Sequence, residues 1–269
     1  MDSENSWDFR EDQELIVSNE YNNEGYVIEK ADFRYLELIK KDIEKGYFEF
    51  SGMNSEKHKG LENAHLSISK EDSNDLRLHI MQKTSQGTNF NRNYYNAAKN
   101  IIHCLCGNEL AMQKRPGLSI NLPQNSNDVL PIHADTWNGV SPFELNIWIP
   151  LVNCTDSMCL YILKRDKYKH RLKESKELLR LSSDELFNEL REDLTWIPIN
   201  YGEILAFDQS LPHGFSLNEE PRTHWSINCR FKGLHTPYWD KKLGEYFMPI
   251  TVKNCTRLGM DYLQPESWI

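Results

Sequence analysis

The chain has 269 residues, 39% hydrophobic and 26% charged, which excludes a disordered polypeptide and leaves ample apolar material for a core. Its formal net charge of −9 argues against a general nucleic-acid binder or an acidic-membrane binder. No apolar run approaches the roughly 18 residues that span a bilayer, and the stretch 1–8 is acidic rather than signal-like, so a cytoplasmic protein that uses neither membrane nor nucleic acid is expected.

In chain order, residues 1–24 read as polar, with a turn at Asn22–Gly25 and then a short β-like run, Tyr26–Ile28. Phe33, Leu36, Ile39 and Ile43 fall at helical spacing and predict a helix that Gly46 ends. Residues 51–75 read as irregular. A second helix is predicted over 90–106, with Tyr94, Ala98, Ile101, Ile102 and Leu105 on its apolar side and Gly107 as its stop. From residue 116 the texture changes to short β-like runs separated by Gly, Pro, Asn and Asp: Leu118–Leu122, Val129–Ile132, Phe143–Leu151, Cys159–Leu163, Trp196–Ile199, Ile204–Phe207 and Ser226–Phe231. That pattern permits a sandwich or barrel. The charged stretch 164–193 interrupts it and reads as a helical insertion, with Ser182 and Glu185 as a capping box ahead of Leu186 and Leu190. One domain is expected: helical support over 1–115, a β body over 116–250 with the insertion at 164–193, and a tail over 251–269. Six cysteines are too sparse for a disulfide scaffold and have no zinc-knuckle spacing, so they read as reduced and mostly buried thiols.

Three stretches carry chemistry. His133 and Asp135 are two apart, so on a strand they share a face. An imidazole beside a carboxylate makes two adjacent ligands for a divalent metal, and a third ligand would complete a 2-His-1-carboxylate set with open positions, an arrangement suited to Fe(II) and O₂. The same spacing also serves a simple His–Asp hydrogen bond at a strand end. His213 follows a β-like run and a turn and precedes Gly214; it offers either a ligand or a turn cap. In the last strand, Trp225, Ile227, Cys229 and Phe231 alternate with Arg222, His224, Ser226, Asn228 and Arg230. The polar face is either solvated or lines a cavity in which an arginine holds a carboxylate. Of the other histidines, His58, His65, His79 and His170 read as solvated, His103 as helix-terminal, and His235 is assigned no role.

An H-x-D, a later H-G and basic residues on the following strand together resemble the Fe(II)/2-oxoglutarate-dependent dioxygenases, in particular the phytanoyl-CoA-dioxygenase-like branch. Residues 131–151 and 211–238 resemble oxygenases of bacterial carbohydrate-biosynthesis clusters, and the likeness covers roughly 116–250. The resemblance implies a mainly β fold, a double-stranded β-helix or jelly roll buttressed by N-terminal helices. It implies His133, Asp135 and His213 as iron ligands, 2-oxoglutarate as co-substrate, O₂ as oxidant, and Trp148 beside the 2-oxoglutarate. The family's carboxylate-binding position, about eleven residues after the distal histidine, is His224 here. The preferred anchor is therefore Arg230 on the same strand face, with His224 close to the co-substrate and Arg222 third. The intact Asp135 implies hydroxylation or desaturation rather than halogenation. The expected reaction is hydroxylation of a C–H bond in a small polar molecule, a sugar, sugar nucleotide or related metabolite. The alternatives are a cupin-like metal enzyme that does not use 2-oxoglutarate and a non-catalytic carbohydrate-binding β-sandwich.

Overall fold

A computed structural model describes residues 10–52, 60–86, 88–174 and 177–263. His58, the opening stretch 1–9 and the last part of the expected tail, 264–269, lie outside the described residues.

The N-terminal part alternates helices with a single strand: α1 (Asp12–Glu24), β1 (Tyr26–Lys30), α2 (Phe33–Ser51), α3 (Ser73–Thr84), α4 (Thr88–Ala97) and α5 (Lys99–Cys106). In α2 the buried side chains Leu36, Ile39, Ile43 and Tyr47 recur at three- and four-residue intervals, which is one face of a helix. The helix does not stop at Gly46 as its pattern predicts. It runs to Gly52, whose left-handed φ of +66° closes it. Gly46 is instead a packing glycine: a Cβ there would stand 3.0 Å from Cγ1 of Ile80 on α3. The expected second helix is two helices broken at Ala98. α1 and α3 escaped the sequence reading because few of their residues are buried, only Ser18 in α1 and Ser73, Leu76 and Ile80 in α3, too few to print a stripe.

The β body then follows: β2 (Leu110–Gln113), β3 (Gly117–Asn121), β4 (Leu130–His133), β5 (Leu145–Pro150), β6 (Leu160–Leu163), α6 (Arg165–Glu174), α7 (Ser183–Leu190), β7 (Leu194–Ile197), β8 (Glu203–Phe207), β9 (His213–Phe215), β10 (His224–Gly233), β11 (Phe247–Thr251) and α8 (Asn254–Met260). Two antiparallel sheets form a jelly roll. The larger runs β1-β8-β5-β10-β2-β11, with β3 also paired to β10, and the smaller runs β4-β9-β6-β7. The ten residues of β10 are the axis of the large sheet. Along one edge its first half pairs with β3 and its last residues with β2, while β5 takes the other edge.

β10 sorts its side chains as its alternation predicts. Trp225, Ile227, Cys229 and Phe231 are buried in the core that the helices cover. Trp225 Nε1 donates to Leu61 O at 2.8 Å, and the Phe231 ring stacks on Tyr94 of α4 at 6.2 Å. The Tyr94 hydroxyl donates to Ile147 O at 2.7 Å, which ties α4 to the back of β5. The opposite face of β10 looks between the sheets. α6 and α7 lie between β6 and β7, and the capping box of Ser182 and Glu185 is formed. These helices are not detached: Leu186 and Leu190 are buried with Ile132, Tyr161 and Leu163, against the small sheet.

Candidate metal centre

β4 and β9 pair so that His133 and His213 stand opposite one another across the small sheet. Their rings are 4.5 Å apart. Asp135 is not on the strand itself. β4 ends at His133, and Asp135 opens a 3-10 turn whose first N–H donates to Gln209 O at 2.9 Å. That bond joins the Asp135 turn to the loop that leads into His213. Gly214 permits the close pairing: a Cβ there would meet Leu130 O at 2.5 Å. The ligand atoms of His133, Asp135 and His213 lie within 4.8 Å of one another, the one such His/Cys/Asp/Glu cluster among the described residues.

Each histidine is held in the tautomer a metal needs. His133 Nδ1 donates to Pro131 O at 2.9 Å and His213 Nδ1 donates to Leu211 O at 2.8 Å, so both rings turn Nε2 to the cluster. Burial, with His133 alongside, pushes His213 down to about 4, so its ring is neutral at pH 7. Burial works against an ionised Asp135, but its bond to His133 and the Arg230 guanidinium outweigh it and hold the carboxyl well below the usual carboxylate range. Burial works against a charged His133, but its bonds to Asp135 and to Pro131 O outweigh it and push its pKa up, so a metal bound there displaces a proton from Nε2. With that proton gone, two imidazoles and one carboxylate fit a divalent first-row metal with positions left open.

Arg230 is placed at this centre. Its Nη2 lies 2.7 Å and its Nε 3.2 Å from Asp135 Oδ2. Nε also donates to Gln209 Oε1 at 2.9 Å, and Nη1 to the Tyr246 hydroxyl at 2.6 Å. Gln209 Nε2 donates in turn to Ser141 O at 3.1 Å and to Glu144 Oε2 at 3.2 Å. Lys232, one pleat beyond Arg230, is fully buried and donates to Pro237 O at 2.6 Å. Sequence reasoning missed Gln209, Glu144, Tyr246 and Lys232. Lys232 was within its reach, because the alternation of β10 continues unbroken from Arg230. Arg222 lies before β10, where it donates to Thr155 Oγ1 at 3.2 Å and so stands apart from the cluster.

A second region shares the inward face of the large sheet. Asn146 is opposite Arg230 and Trp148 is opposite Asn228 on paired strands. Four buried polar atoms here have no hydrogen-bond partner among the described residues: Asn146 Oδ1, Trp148 Nε1, His224 Nε2 and Ser226 Oγ. Each such orphan costs about 1–3 kcal/mol, so four on two adjacent strands mark a surface shaped for a polar ligand. Trp148 stacks on His224 at 6.0 Å, and Phe215, two residues from His213, closes over His224 at 5.0 Å. Trp137, Phe143 and Trp239 are exposed, and Asp240 N–H donates to Gly139 O at 3.2 Å, joining the loops that carry the two tryptophans.

No family model matches the chain, and no curated protein matches it in sequence. Solved structures do match in shape. A non-haem monooxygenase, the ThoJ–nickel complex, superposes with a TM-score of 0.56 at 10% identity, over 89% of this chain and 85% of that one. EctD from S. alaskensis, solved with 2-oxoglutarate and 5-hydroxyectoine, gives 0.53 at 14% identity over 85% and 78%. HygX from Streptomyces hygroscopicus, solved with nickel and 2-oxoglutarate bound, gives 0.51 at 9% identity over 87% and 90%. The chain has the fold of the non-haem iron/2-oxoglutarate oxygenases. The jelly roll expected from the motifs is therefore present, together with its helical buttress. No helix among the described residues is long and apolar enough to cross a membrane.

Proposed function

We propose that the protein is an Fe(II)- and 2-oxoglutarate-dependent oxygenase that hydroxylates a C–H bond of a small polar substrate, a sugar, sugar nucleotide or related metabolite. The observation that carries this reading is the convergence of His133, Asp135 and His213, with Nε2 of both rings facing the cluster and the carboxylate ionised. Bound there, iron and 2-oxoglutarate would supply the oxidation, with O₂ consumed and succinate and CO₂ released. The chain's own part is positional. The two backbone carbonyls fix the imidazoles, and Arg230 steadies Asp135 while Gln209 steadies Arg230. Phe207 packs edge-on against His213 at 4.9 Å and keeps water from that side. His133 is the partly exposed ligand, so substrate approaches past it.

The co-substrate is assigned to the orphan face, with Trp148 and His224 beside it. Arg230, the anchor preferred from sequence, is given the role of orienting Asp135, because its donors are already engaged. The carbohydrate class rests on the exposed Trp137, Phe143 and Trp239, the first in the turn that Asp135 opens, since indole and phenyl rings suit the apolar faces of sugars. In the same reading the chain is one oxygenase domain, with the N-terminal helices behind the large sheet, β1 and β2 as strands within it, and α6 and α7 flanking the small one. Succinate release from 2-oxoglutarate, assayed with Fe(II) across a panel of sugars and sugar nucleotides, tests the proposal. Substrate-stimulated succinate is expected. Metal binding with no succinate under any condition would favour a metal enzyme that does not use 2-oxoglutarate.

A further inference from the structure

Asn121 on β3 lies directly opposite His224 on β10. Its Nδ2 donates to Asp128 O at 2.9 Å, which orients the amide so that Oδ1 faces the imidazole. His224 Nδ1 therefore carries the ring proton and donates to Asn121 Oδ1 at 3.1 Å. In the neutral ring Nε2 is then a bare lone pair, and it is one of the four orphans. A bare lone pair repels a carboxylate, whereas the same nitrogen protonated donates to one. Ser226 Oγ and Trp148 Nε1, both buried and unpartnered, can donate without any change of charge.

Among the described residues no charged group is bonded to the ring. β3 offers Ser119 and Asn121, β5 offers Trp148, and β9 offers Phe215. Asp128 directs its carboxylate to Leu122 N, Asn125 and Ser73. His65 bonds to Thr223, and Arg222 to Thr155. Lys70, Glu71 and Arg77 line a groove together with Asn121 and Phe215, and Lys70 and Arg77 are bonded elsewhere, to Gln124 O and Asn74 Oδ1. On β10 itself Arg230 is held by Asp135. Burial alone pushes His224 down to about 3, so the ring is neutral throughout the physiological range.

We infer that His224 is the counter-ion of the co-substrate's distal carboxylate, and that it becomes cationic only by taking up a proton as 2-oxoglutarate binds. The inference rests on the oxygenase reading above. Bound, the imidazolium donates through Nδ1 to Asn121 and through Nε2 to the carboxylate, so both ring nitrogens are satisfied and the buried charges cancel. Nothing is oxidised; one proton passes from solvent to the ring, and it returns when the carboxylate leaves. The sign follows from linkage. A group neutral in the free protein and protonated in the complex makes affinity fall as pH rises.

Calorimetric titration of the Ni(II)-loaded protein with 2-oxoglutarate tests this, in buffers of differing ionisation enthalpy between about pH 6 and 8. Uptake of about one proton per 2-oxoglutarate is expected, with Kd rising about tenfold per pH unit. His224→Gln and His224→Arg should both abolish the uptake and the slope, and the arginine variant should bind at least as tightly as the native protein at the alkaline end. A native Kd that is flat with pH and free of uptake would overturn the inference, as would unchanged uptake in His224→Gln. A protein that takes up nickel stoichiometrically yet binds no 2-oxoglutarate at any pH would overturn the oxygenase reading itself, and the two failures are distinct.

Discussion

The metal end of the site and the strand face beside it are built on opposite plans. Around His133, Asp135 and His213 each functional group already has its partner: Nδ1 of each histidine on a carbonyl, the aspartate on an arginine, the arginine on a glutamine and a tyrosine. On β5 and β10 four polar atoms are buried with none. The first region is organised in advance, so its contacts contribute to the stability of the free protein. The second carries desolvation costs that only a ligand relieves. Substitutions at the metal end should therefore cost both stability and metal, and substitutions on the strand face should cost ligand affinity alone.

The largest effect is expected from the ligands. Replacing His133, Asp135 or His213 with Ala should remove most of the bound iron, measured on anaerobically purified protein. Asp135→Ala should also destabilise the fold by about 3–5 kcal/mol in denaturant titration, because it strands the buried Arg230 charge. Arg230→Met comes next. It should weaken metal binding by about 10–100-fold through the loosened carboxylate while leaving 2-oxoglutarate affinity per metal-loaded protein nearly intact. A collapse of 2-oxoglutarate affinity in that variant would return the anchor to Arg230 and erase the contrast between the regions. Gly214→Ala should cost about 1–3 kcal/mol, since the added methyl presses on the β4 backbone and spreads the two histidines.

Arg165→Met probes whether the insertion helps to hold the metal loop. Arg165 on α6 bonds to Asp208 at 2.5 Å, and Asp208 also accepts from Ser210 N at 2.8 Å, one turn before His213. The pair is partly exposed, so about 1 kcal/mol of stability and a few-fold loss of metal affinity are expected. Ser226→Ala should have the smallest effect on the free protein. Removing an orphan hydroxyl should leave stability unchanged or slightly raised in thermal unfolding, with 2-oxoglutarate affinity reduced. A clear loss of stability would mean that the hydroxyl has a partner in solution and the strand face is not waiting for a ligand.

The alternation of β10 and the three residues that converge at the candidate metal centre were legible in the sequence because each rests on a local pattern, a period of two or a short motif. The jelly roll itself was legible through the motifs rather than the strand count, since β2, β9 and β11 are short strands with no strong pattern of their own. Gly46 shows how a local signal fails: a glycine that looks like a helix stop is a contact point for Ile80, and only the tertiary packing distinguishes the two. Asp135 shows the same at the site. The spacing from His133 was read as two residues on one strand face, yet a turn held by Gln209 O brings the carboxylate in. The partners of Arg230 could not be read at all, because Gln113, Gln209 and Tyr246 meet it from three separate parts of the chain. His65 likewise read as solvated, but it bonds Thr223 from 158 positions away.

The most direct test is an anaerobic titration of the Fe(II)-loaded protein with 2-oxoglutarate, followed by visible absorbance. The account predicts a saturable metal-to-ligand charge-transfer band that requires both components and is lost in His213→Ala. Stoichiometric iron binding with no band at any 2-oxoglutarate concentration would contradict it.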